Sequence, residues 1–284
     1  MPRLILRFRR LPAARRAALA AGGACALAIP LAAVAAVPAG AATAAGTAVS
    51  YVALGDSYSS GLGAGSYISS SGSCDRSTVA YSALWASASH PASYVSVACA
   101  GATTSSVMSG QLSALSSETT LVSITVGGND VGFESVMETC VLESTSSCVS
   151  AVSAAENQVS TILPGNMDRV LSAISAAAPS ARVVVLGYPA LYDLSSSSIC
   201  LGLSTTDRNV LNQAASLLDQ VIQAAAVRHG DVFGDVRGPF TGHQICDGGG
   251  SWLHSVDIFD ISESYHPTAA GQSGGYEPVF AANV

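Results

Sequence analysis

Lysine is absent from this 284-residue chain, and charged residues of any kind are scarce. All 12 basic residues are arginine, and charged residues make up 11% of the sequence. Six of the arginines lie in the first sixteen positions, so the rest of the chain carries six arginines against all 19 carboxylates. This balance argues against nucleic acid as a partner and against electrostatic binding to anionic lipid. Any contact with lipid is therefore expected to be apolar.

Aromatic residues are also few, and no internal repeat is visible. Aromatic residues make up 6% of the chain, whereas hydrophobic residues make up 49%. A cell-wall adhesion protein is expected to have repeats or aromatic patches, so this class is disfavoured. The high apolar content and the length favour one compact α/β domain.

The amino-terminal segment has the pattern of a secretion signal. Its arginine-rich start is followed by an apolar run over residues 17–37 and then by Pro38. Small residues at 39–41 and 42–44 offer two cleavage sites. We therefore predict a secreted, extracellular protein.

The domain boundary follows from this segment. We predict a secretion signal and short linker over residues 1–44 and a single folded domain over 45–284. An uncleaved membrane anchor is the alternative, because the apolar run is about long enough to cross a bilayer. Its alanine and glycine content makes it weakly hydrophobic, and Cys25 lacks the preceding large aliphatic residue of a lipoprotein signal. No stable membrane anchor is expected after cleavage.

Six cysteines remain beyond this segment, and an even count suits an oxidising compartment. A metal site is the competing interpretation, but no CxxC or clustered Cys/His spacing supports it. Several pairings are possible, and sequence order favours three disulfides: Cys74–Cys99, Cys140–Cys148 and Cys200–Cys246.

Short apolar runs alternate with longer helical stretches after about residue 50, which is typical of a layered α/β domain. The predicted strands span residues 50–54, 94–98, 121–126, 182–186 and 231–235. Apolar residues at three- and four-residue spacing predict helices over residues 151–178 and 205–229. Five strands fit one parallel sheet, in which ligands lie beyond the carboxyl ends of the strands.

Gly55-Asp56-Ser57 follows directly after the first predicted strand. Glycine permits a tight turn there, which makes Ser57 a candidate nucleophile. The alternative is structural, since Asp56 or Ser57 could cap the following helix. No GxSxG motif, the nucleophile turn of another hydrolase class, occurs in the chain.

The third predicted strand leads into Gly127-Gly128-Asn129-Asp130. Acyl transfer builds negative charge on a carbonyl oxygen, and fixed donors at that oxygen lower the barrier by about 3 to 4 kcal/mol. The Asn129 amide, together with backbone N–H groups at Gly101, could form such an oxyanion hole. The alternative for this segment is a turn that satisfies its own backbone.

His266, just before Pro267 near the carboxyl terminus, is the candidate general base. A serine hydroxyl is a poor nucleophile until an imidazole takes its proton, so Ser57 and His266 must meet at about 3 Å. Among the other histidines, His254 near Trp252 is a candidate pocket residue. The rest are expected on the surface or in loops, namely His90, His229 and His243.

In this order, Ser57, Gly101, Asn129 and His266 resemble the marker residues of the GDSL or SGNH hydrolase family. The resemblance covers the chain after the leader, and the six cysteines are similar to those of the family's secreted actinobacterial lipases and phospholipases. It implies a flavodoxin-like three-layer α/β/α fold, with Ser57 attacking an ester and His266 transferring the proton. The backbone N–H groups of Ser57 and Gly101 and the Asn129 amide would then hold the oxyanion.

Two groups are candidates for orienting His266. The family usually has aspartate three residues before its histidine, and this chain has Glu263 there. The Glu263 carboxylate could fix the imidazole, as in a triad. Otherwise the backbone carbonyl of Ser264 could accept the His266 N–H.

The sequence thus predicts a serine esterase that acts on lipid esters through an acyl-enzyme, as a monomer and without a metal or organic cofactor. A carbohydrate acetylesterase is the alternative enzyme, and it would have a small pocket. A non-catalytic secreted binding domain is a further alternative, which the presence of Ser57, Asn129 and His266 disfavours.

Overall fold

A five-stranded parallel sheet forms the centre of the protein in a computed structural model. The structure describes residues 48–195, 200, 202–257 and 259–284. The strands run in the order β2-β1-β3-β4-β5, and every neighbouring pair is parallel. Their bounds are β1 Ser50–Gly55, β2 Ser93–Ser96, β3 Leu121–Thr125, β4 Arg182–Leu186 and β5 Val232–Gly234. The predicted α/β class and five-stranded parallel sheet are confirmed.

The predicted secretion signal and linker over 1–44, with Cys25, lie outside the described residues. Residues from Gly46 to Val284 form one compact unit. Within the described ranges, no helix combines the length and apolarity needed to cross a membrane.

The two central strands are buried along their length. All five residues of β3 are buried, as are residues 51–55 of β1. Parallel strands that are covered on both faces have such continuous apolar sequences. The edge strand β2 ends at Ser96, before the predicted 98, although the N–H groups of Val97 and Cys99 still donate to the backbone of β1.

Helices of very different lengths connect these strands. The α-helices are α1 Ser57–Ser60, α2 Tyr81–Ser89, α3 Thr104–Ser106, α4 Phe133–Leu142, α5 Thr145–Thr161, α6 Leu163–Ala177, α7 Thr205–His229, α8 Arg237–Phe240 and α9 Glu277–Ala281. Shorter 3-10 turns span Ser69–Cys74, Leu112–Ala114, Asn129–Val131 and Ile261–Glu263, and π-helical turns span Val107–Gln111 and Gly271–Tyr276.

The helices cover both faces of the sheet. The chain passes outward from β1 to β2 through α2 and then returns across β1 to β3. Because crossovers between parallel strands are right-handed, this reversal places α2 on one face and α4 to α7 on the other. On the first face, the ring of Tyr51 contacts Trp85 of α2 and Phe280 of α9, at centroid distances of 5.3 and 5.2 Å. The result is the three-layer arrangement that the resemblance implies.

The predicted helix over 151–178 is wrong in its bounds, because the structure has two helices there. Helix α5 ends at Thr161, and α6 begins at Leu163 with Pro164 in its first turn. Proline has no N–H to donate to the preceding turn and its ring clashes there, so it suits a helix start and ends the helix before it.

Helix α7 confirms the second prediction, over Thr205–His229. Ser204 and Asp207 form a capping box at its start, and Gly230 ends it with a φ of 74°. Each device satisfies backbone groups that a helix end leaves without partners.

The chain reverses its direction across the sheet between β1 and β3. In parallel sheets, ligands bind beyond the carboxyl ends of the strands at such a point. Gly55 at the end of β1 pairs with Thr125 at the end of β3. The residues that follow these strands, among them Ser57 and Asn129, therefore share one edge of the sheet.

The six cysteines beyond the leader lie in the three pairs that sequence order favours. The Cα atoms are 4.0 Å apart in Cys74–Cys99, 4.3 Å in Cys140–Cys148 and 5.3 Å in Cys200–Cys246. The first pair fixes the segment just before Gly101, and the second joins the end of α4 to the start of α5.

Candidate active site

Ser57 lies in a tight turn at the end of β1. Gly55 has a φ of 121°, and a Cβ atom there would lie 2.3 Å from the backbone oxygen of Thr125. The position therefore requires glycine. Ser57 is the first residue of the four-residue helix α1 and is 6% exposed.

Asp56 holds this turn through its buried carboxylate. Its Oδ1 accepts hydrogen bonds from the Tyr58 N–H at 3.0 Å and from the Thr125 hydroxyl at 2.6 Å. Its Oδ2 accepts a hydrogen bond from the Tyr188 hydroxyl. Burial raises the pKa of Asp56 to about 6, against the effect of these donors. Asp56 therefore has the capping role that the sequence left open, whereas Ser57 keeps its hydroxyl for another partner.

That partner is His266. Its Nε2 lies 2.8 Å from Ser57 Oγ, and its Nδ1 lies 3.0 Å from the backbone oxygen of Ser264. A carbonyl oxygen accepts hydrogen bonds and does not donate them, so Nδ1 carries the proton and Nε2 is free to accept one. Burial lowers the pKa of His266 to about 4. The imidazole is therefore a neutral base at neutral pH.

Glu263 turns away from this imidazole. Its carboxylate accepts a hydrogen bond from the Tyr67 hydroxyl, and its Oε2 lies 4.0 Å from Nε2 of His254. Among the described residues, no hydrogen bond joins the Glu263 carboxylate to His266. The structure therefore does not support Glu263 as the orienting group.

The Ser264 carbonyl, the other predicted alternative, makes the contact instead. The local chain path explains the difference. Glu263 ends a 3-10 turn, the His266 N–H donates to the Glu263 backbone oxygen at 3.1 Å, and Tyr265 has a φ of 66°. This reversal brings the Ser264 carbonyl under the imidazole and sends the Glu263 side chain towards Tyr67.

The remaining histidines have other partners. Nε2 of His254 lies 2.7 Å from the Gly63 backbone oxygen, so this side chain joins two loops. His229 lies 3.2 Å from Asp168, His243 stacks on Trp252, and His90 is the C-cap residue that follows α2. In the ranges that the structure describes, no group of three or more His, Cys, Asp or Glu side chains is placed to hold a metal ion.

The predicted oxyanion donors lie beside Ser57. The Ser57 N–H is in the first turn of α1, where a helix offers no internal acceptor. Gly101 has a φ of 75°. The Asn129 amide donates one hydrogen bond to the Ala102 backbone oxygen at 3.0 Å and has a second N–H. Ser57, Gly101, Asn129 and His266 line one cavity of about 490 Å³.

This arrangement combines a hydroxyl, a neutral imidazole and several donors at one edge of the sheet. The model of the GDSL-like Lipase/Acylhydrolase family matches residues 53–273. The chain belongs to this family. The match extends from β1 past His266, so it contains the whole site, and the resemblance found in the sequence is confirmed. This GDSL-like protein is a carboxylic ester hydrolase.

Relatives of this GDSL-like hydrolase are found in Streptomyces. Lipase 1 of Streptomyces coelicolor is 58% identical over 229 residues, covering 81% of this chain and 84% of the relative. The crystal structure of phospholipase A1 from Streptomyces albidoflavus is 54% identical, with a TM-score of 0.81, and the match covers 84% of this chain and 100% of that one. The extracellular lipase of Streptomyces rimosus is 49% identical, with the same TM-score and coverage.

Two cavities of this hydrolase meet at Ser57, Asn129 and Phe133. The outer cleft is the cavity of about 490 Å³, and α4 supplies much of its apolar wall through Phe133, Met137 and Val141. The inner cavity, of about 70 Å³, is lined by side chains of α5 and α7, with Phe133 and Val136 of α4 and residues that follow β4. His266 lines the outer cleft and does not line the inner cavity.

Tyr188, which no sequence motif indicated, supports the nucleophile turn. Its hydroxyl donates to Asp56, and its N–H donates to Asp219 Oδ1 at 2.8 Å. Burial raises the pKa of Asp219 to about 7, and Arg237 lies 3.4 Å from its other oxygen. Its position in the chain could have indicated this role, because Tyr188 follows β4 and so lies at the same edge of the sheet as Ser57.

Proposed function

We propose that this hydrolase cleaves acyl esters of lipids, either acylglycerols or phospholipids, through an acyl-enzyme on Ser57. The observation that carries the proposal is the 2.8 Å contact between Ser57 Oγ and His266 Nε2, with Nδ1 held by a backbone carbonyl. A nucleophile within reach of an oriented base is the requirement for nucleophilic catalysis.

Acylation begins when Ser57 Oγ attacks the ester carbonyl carbon and passes its proton to His266 Nε2. The carbonyl electron pair moves to oxygen, where N–H groups of Ser57, Gly101 and Asn129 stabilise the charge. When the carbonyl re-forms, the bond to the alkoxide breaks. The alkoxide takes the proton from His266 and leaves as the alcohol.

Deacylation repeats these steps with water. Water gives a proton to His266 and attacks the acyl carbon, and the second tetrahedral intermediate expels Ser57 Oγ. The serine recovers the proton, and the carboxylic acid departs. Neither a metal ion nor an organic cofactor enters this scheme.

The lipid assignment is supported by the apolar wall of the outer cleft and by the relatives, which are described as lipases and as phospholipase A1. The scarcity of basic residues makes apolar contact the expected way of meeting lipid. Nucleic acid is not a partner in this proposal.

We also propose that the protein acts outside the cell as a monomer, after residues 1–44 are removed and without a membrane anchor. The paired cysteines suit an oxidising compartment, and the Streptomyces rimosus relative is described as extracellular.

Hydrolysis of p-nitrophenyl esters from acetate to palmitate, by wild type and Ser57→Ala, tests the proposal. Loss of the nucleophile is expected to lower kcat by about 10⁴- to 10⁶-fold. Ser153→Ala, an exposed serine on α5, is the matched control and should behave as wild type. Full activity in Ser57→Ala would overturn the mechanism. Cleavage of acetate alone would overturn the lipid assignment and favour an acetylesterase.

A further inference from the structure

The two cavities at Ser57 differ in one chemical respect, which is access to the proton on His266. In acyl transfer, the leaving alkoxide must take that proton, so the alcohol part of the ester has to lie beside His266. Because His266 lines the outer cleft and not the inner cavity, the alcohol part belongs in the outer cleft. The acyl part then extends to the other side of the reacting carbon.

We infer that the inner cavity binds the acyl chain of the substrate and sets the preferred chain length. This inference rests on the proposed function. It names the side chains that distinguish one acyl group from another.

The walls of the inner cavity are built for an apolar group. Two helices contribute side chains at the spacing of one helix face, namely Val152, Ala155, Glu156 and Val159 from α5 and Leu211, Ala214, Ala215 and Leu218 from α7. Apart from Glu156, the polar lining groups belong to the Ser57 end, where Asp56, Asn129 and Tyr188 lie. A chain attached to Ser57 would therefore pass from polar surroundings into apolar ones.

Alanine side chains create the space between the two helices. Ala155 faces the cavity from α5, and Ala214 and Ala215 face it from α7. A larger side chain at any of these positions would occupy volume that the acyl chain needs. One added leucine at such a position should therefore shorten the accepted chain markedly.

Acyl-chain profiles of Ala214→Leu and Ala155→Leu test the inference, with p-nitrophenyl acetate and octanoate as substrates. Each methylene buried in an apolar site improves kcat/KM by about fourfold, so excluding two methylenes should lower the octanoate-to-acetate ratio by at least about tenfold. Ala224→Leu and Ala154→Leu place the same change on exposed positions of the same helices and should keep the wild-type ratio. An unchanged ratio in the folded cavity variants would overturn the inference.

A cavity-enlarging variant covers the case in which the leucine variants do not fold. Leu218→Ala should raise the ratio of palmitate to octanoate hydrolysis, and an unchanged ratio would count against the inference. A second experiment measures the hydrolysis of alkyl acetates with alcohols of increasing length by the same variants. Variants that change the dependence on alcohol length, but not on acyl length, would show that the assignment of the two cavities is reversed.

Failure of the inference is distinguishable from failure of the proposed function. If wild type cleaves no ester, or if Ser57→Ala retains activity, the proposed function fails. If wild type is an active Ser57-dependent esterase and the cavity variants keep its acyl profile, the function stands and the cavity assignment fails.

Discussion

At the residue scale, a backbone carbonyl orients His266. The Glu263 carboxylate was the other group that the sequence offered for this role. The Ser264 oxygen fixes the tautomer of His266 and places Nε2 against Ser57. A carbonyl dipole does this without adding a formal charge beside the imidazole. Burial is therefore the dominant influence on the His266 pKa, which it lowers to about 4.

Glu263→Gln is expected to leave kcat within about tenfold of wild type, whereas loss of a triad aspartate costs about 10⁴-fold. The Glu263 carboxylate contacts Tyr67 and not His266, and glutamine can still accept that hydrogen bond. Steady-state hydrolysis of p-nitrophenyl butyrate measures the effect, with Glu118→Gln as an exposed control. A loss of about 10⁴-fold would show that Glu263 orients His266 during catalysis.

The pH dependence of kcat/KM should have an acid limb well below the ordinary histidine pKa of about 6.5. Protonated His266 cannot accept the Ser57 proton, so activity falls as pH drops through the pKa of the folded enzyme, which is about 4. Activity should thus be nearly constant between neutral pH and about pH 5.

Asp56 is the other buried group whose titration could shape this limb, since its pKa is raised to about 6. The Asp56→Asn variant separates the two groups. Its activity is expected to change in level while the midpoint of the limb stays where it is in wild type. A wild-type midpoint at 6.5 or above would contradict the effect of burial on His266.

At the scale of elements, chain connections place the catalytic groups. Ser57 and Asn129 follow adjacent strands, whereas the segments that bear Gly101 and His266 are loops. The Cys74–Cys99 disulfide holds the Gly101 segment, and the Ala100 N–H also donates to the Cys74 backbone oxygen at 3.2 Å.

Replacing Cys74 and Cys99 together with serine should lower the free energy of unfolding by about 3 kcal/mol, because the disulfide closes a loop between residues 25 positions apart. It should also lower kcat, since the Gly101 donor is less well fixed. Urea denaturation and ester hydrolysis measure the two effects.

The matched control is the Cys140–Cys148 pair, replaced in the same way. Its sequence separation is 8, so chain entropy predicts a loss smaller by about 1 kcal/mol. This pair therefore serves as the control for stability. Equal stability of wild type and the Cys74/Cys99 variant would contradict the role of that disulfide.

At the scale of the whole molecule, the mature protein is predicted to begin at Ala42 or Ala45, after either small-residue cleavage site. Mass spectrometry of protein from the culture medium identifies this residue. Ala41→Leu with Ala44→Leu should leave the precursor uncleaved, because signal cleavage needs small residues at these positions. Wild-type protein that keeps residues 1–44 and sediments with membranes would support the anchor alternative.

Much of the fold could be predicted from the sequence because its signals are local. Buried parallel strands have continuous apolar runs, and the capping box and terminal glycine of α7 mark its ends. The break between α5 and α6 was also encoded locally, by Pro164, but the apolar period continues across it and concealed it. Its position matters, because α5 forms one wall of the inner cavity.

By itself, the sequence determined the candidate chemical groups: Ser57 after a strand and a glycine, Asn129 after another strand, and His266 before a proline. Residue type and position relative to a strand end are properties of the chain. Tertiary structure decided that Ser264, rather than Glu263, contacts His266, and that Tyr188 supports Asp56. It also decided that a cavity lies between two helices, because which side chains meet depends on chain reversal and packing between segments far apart in sequence.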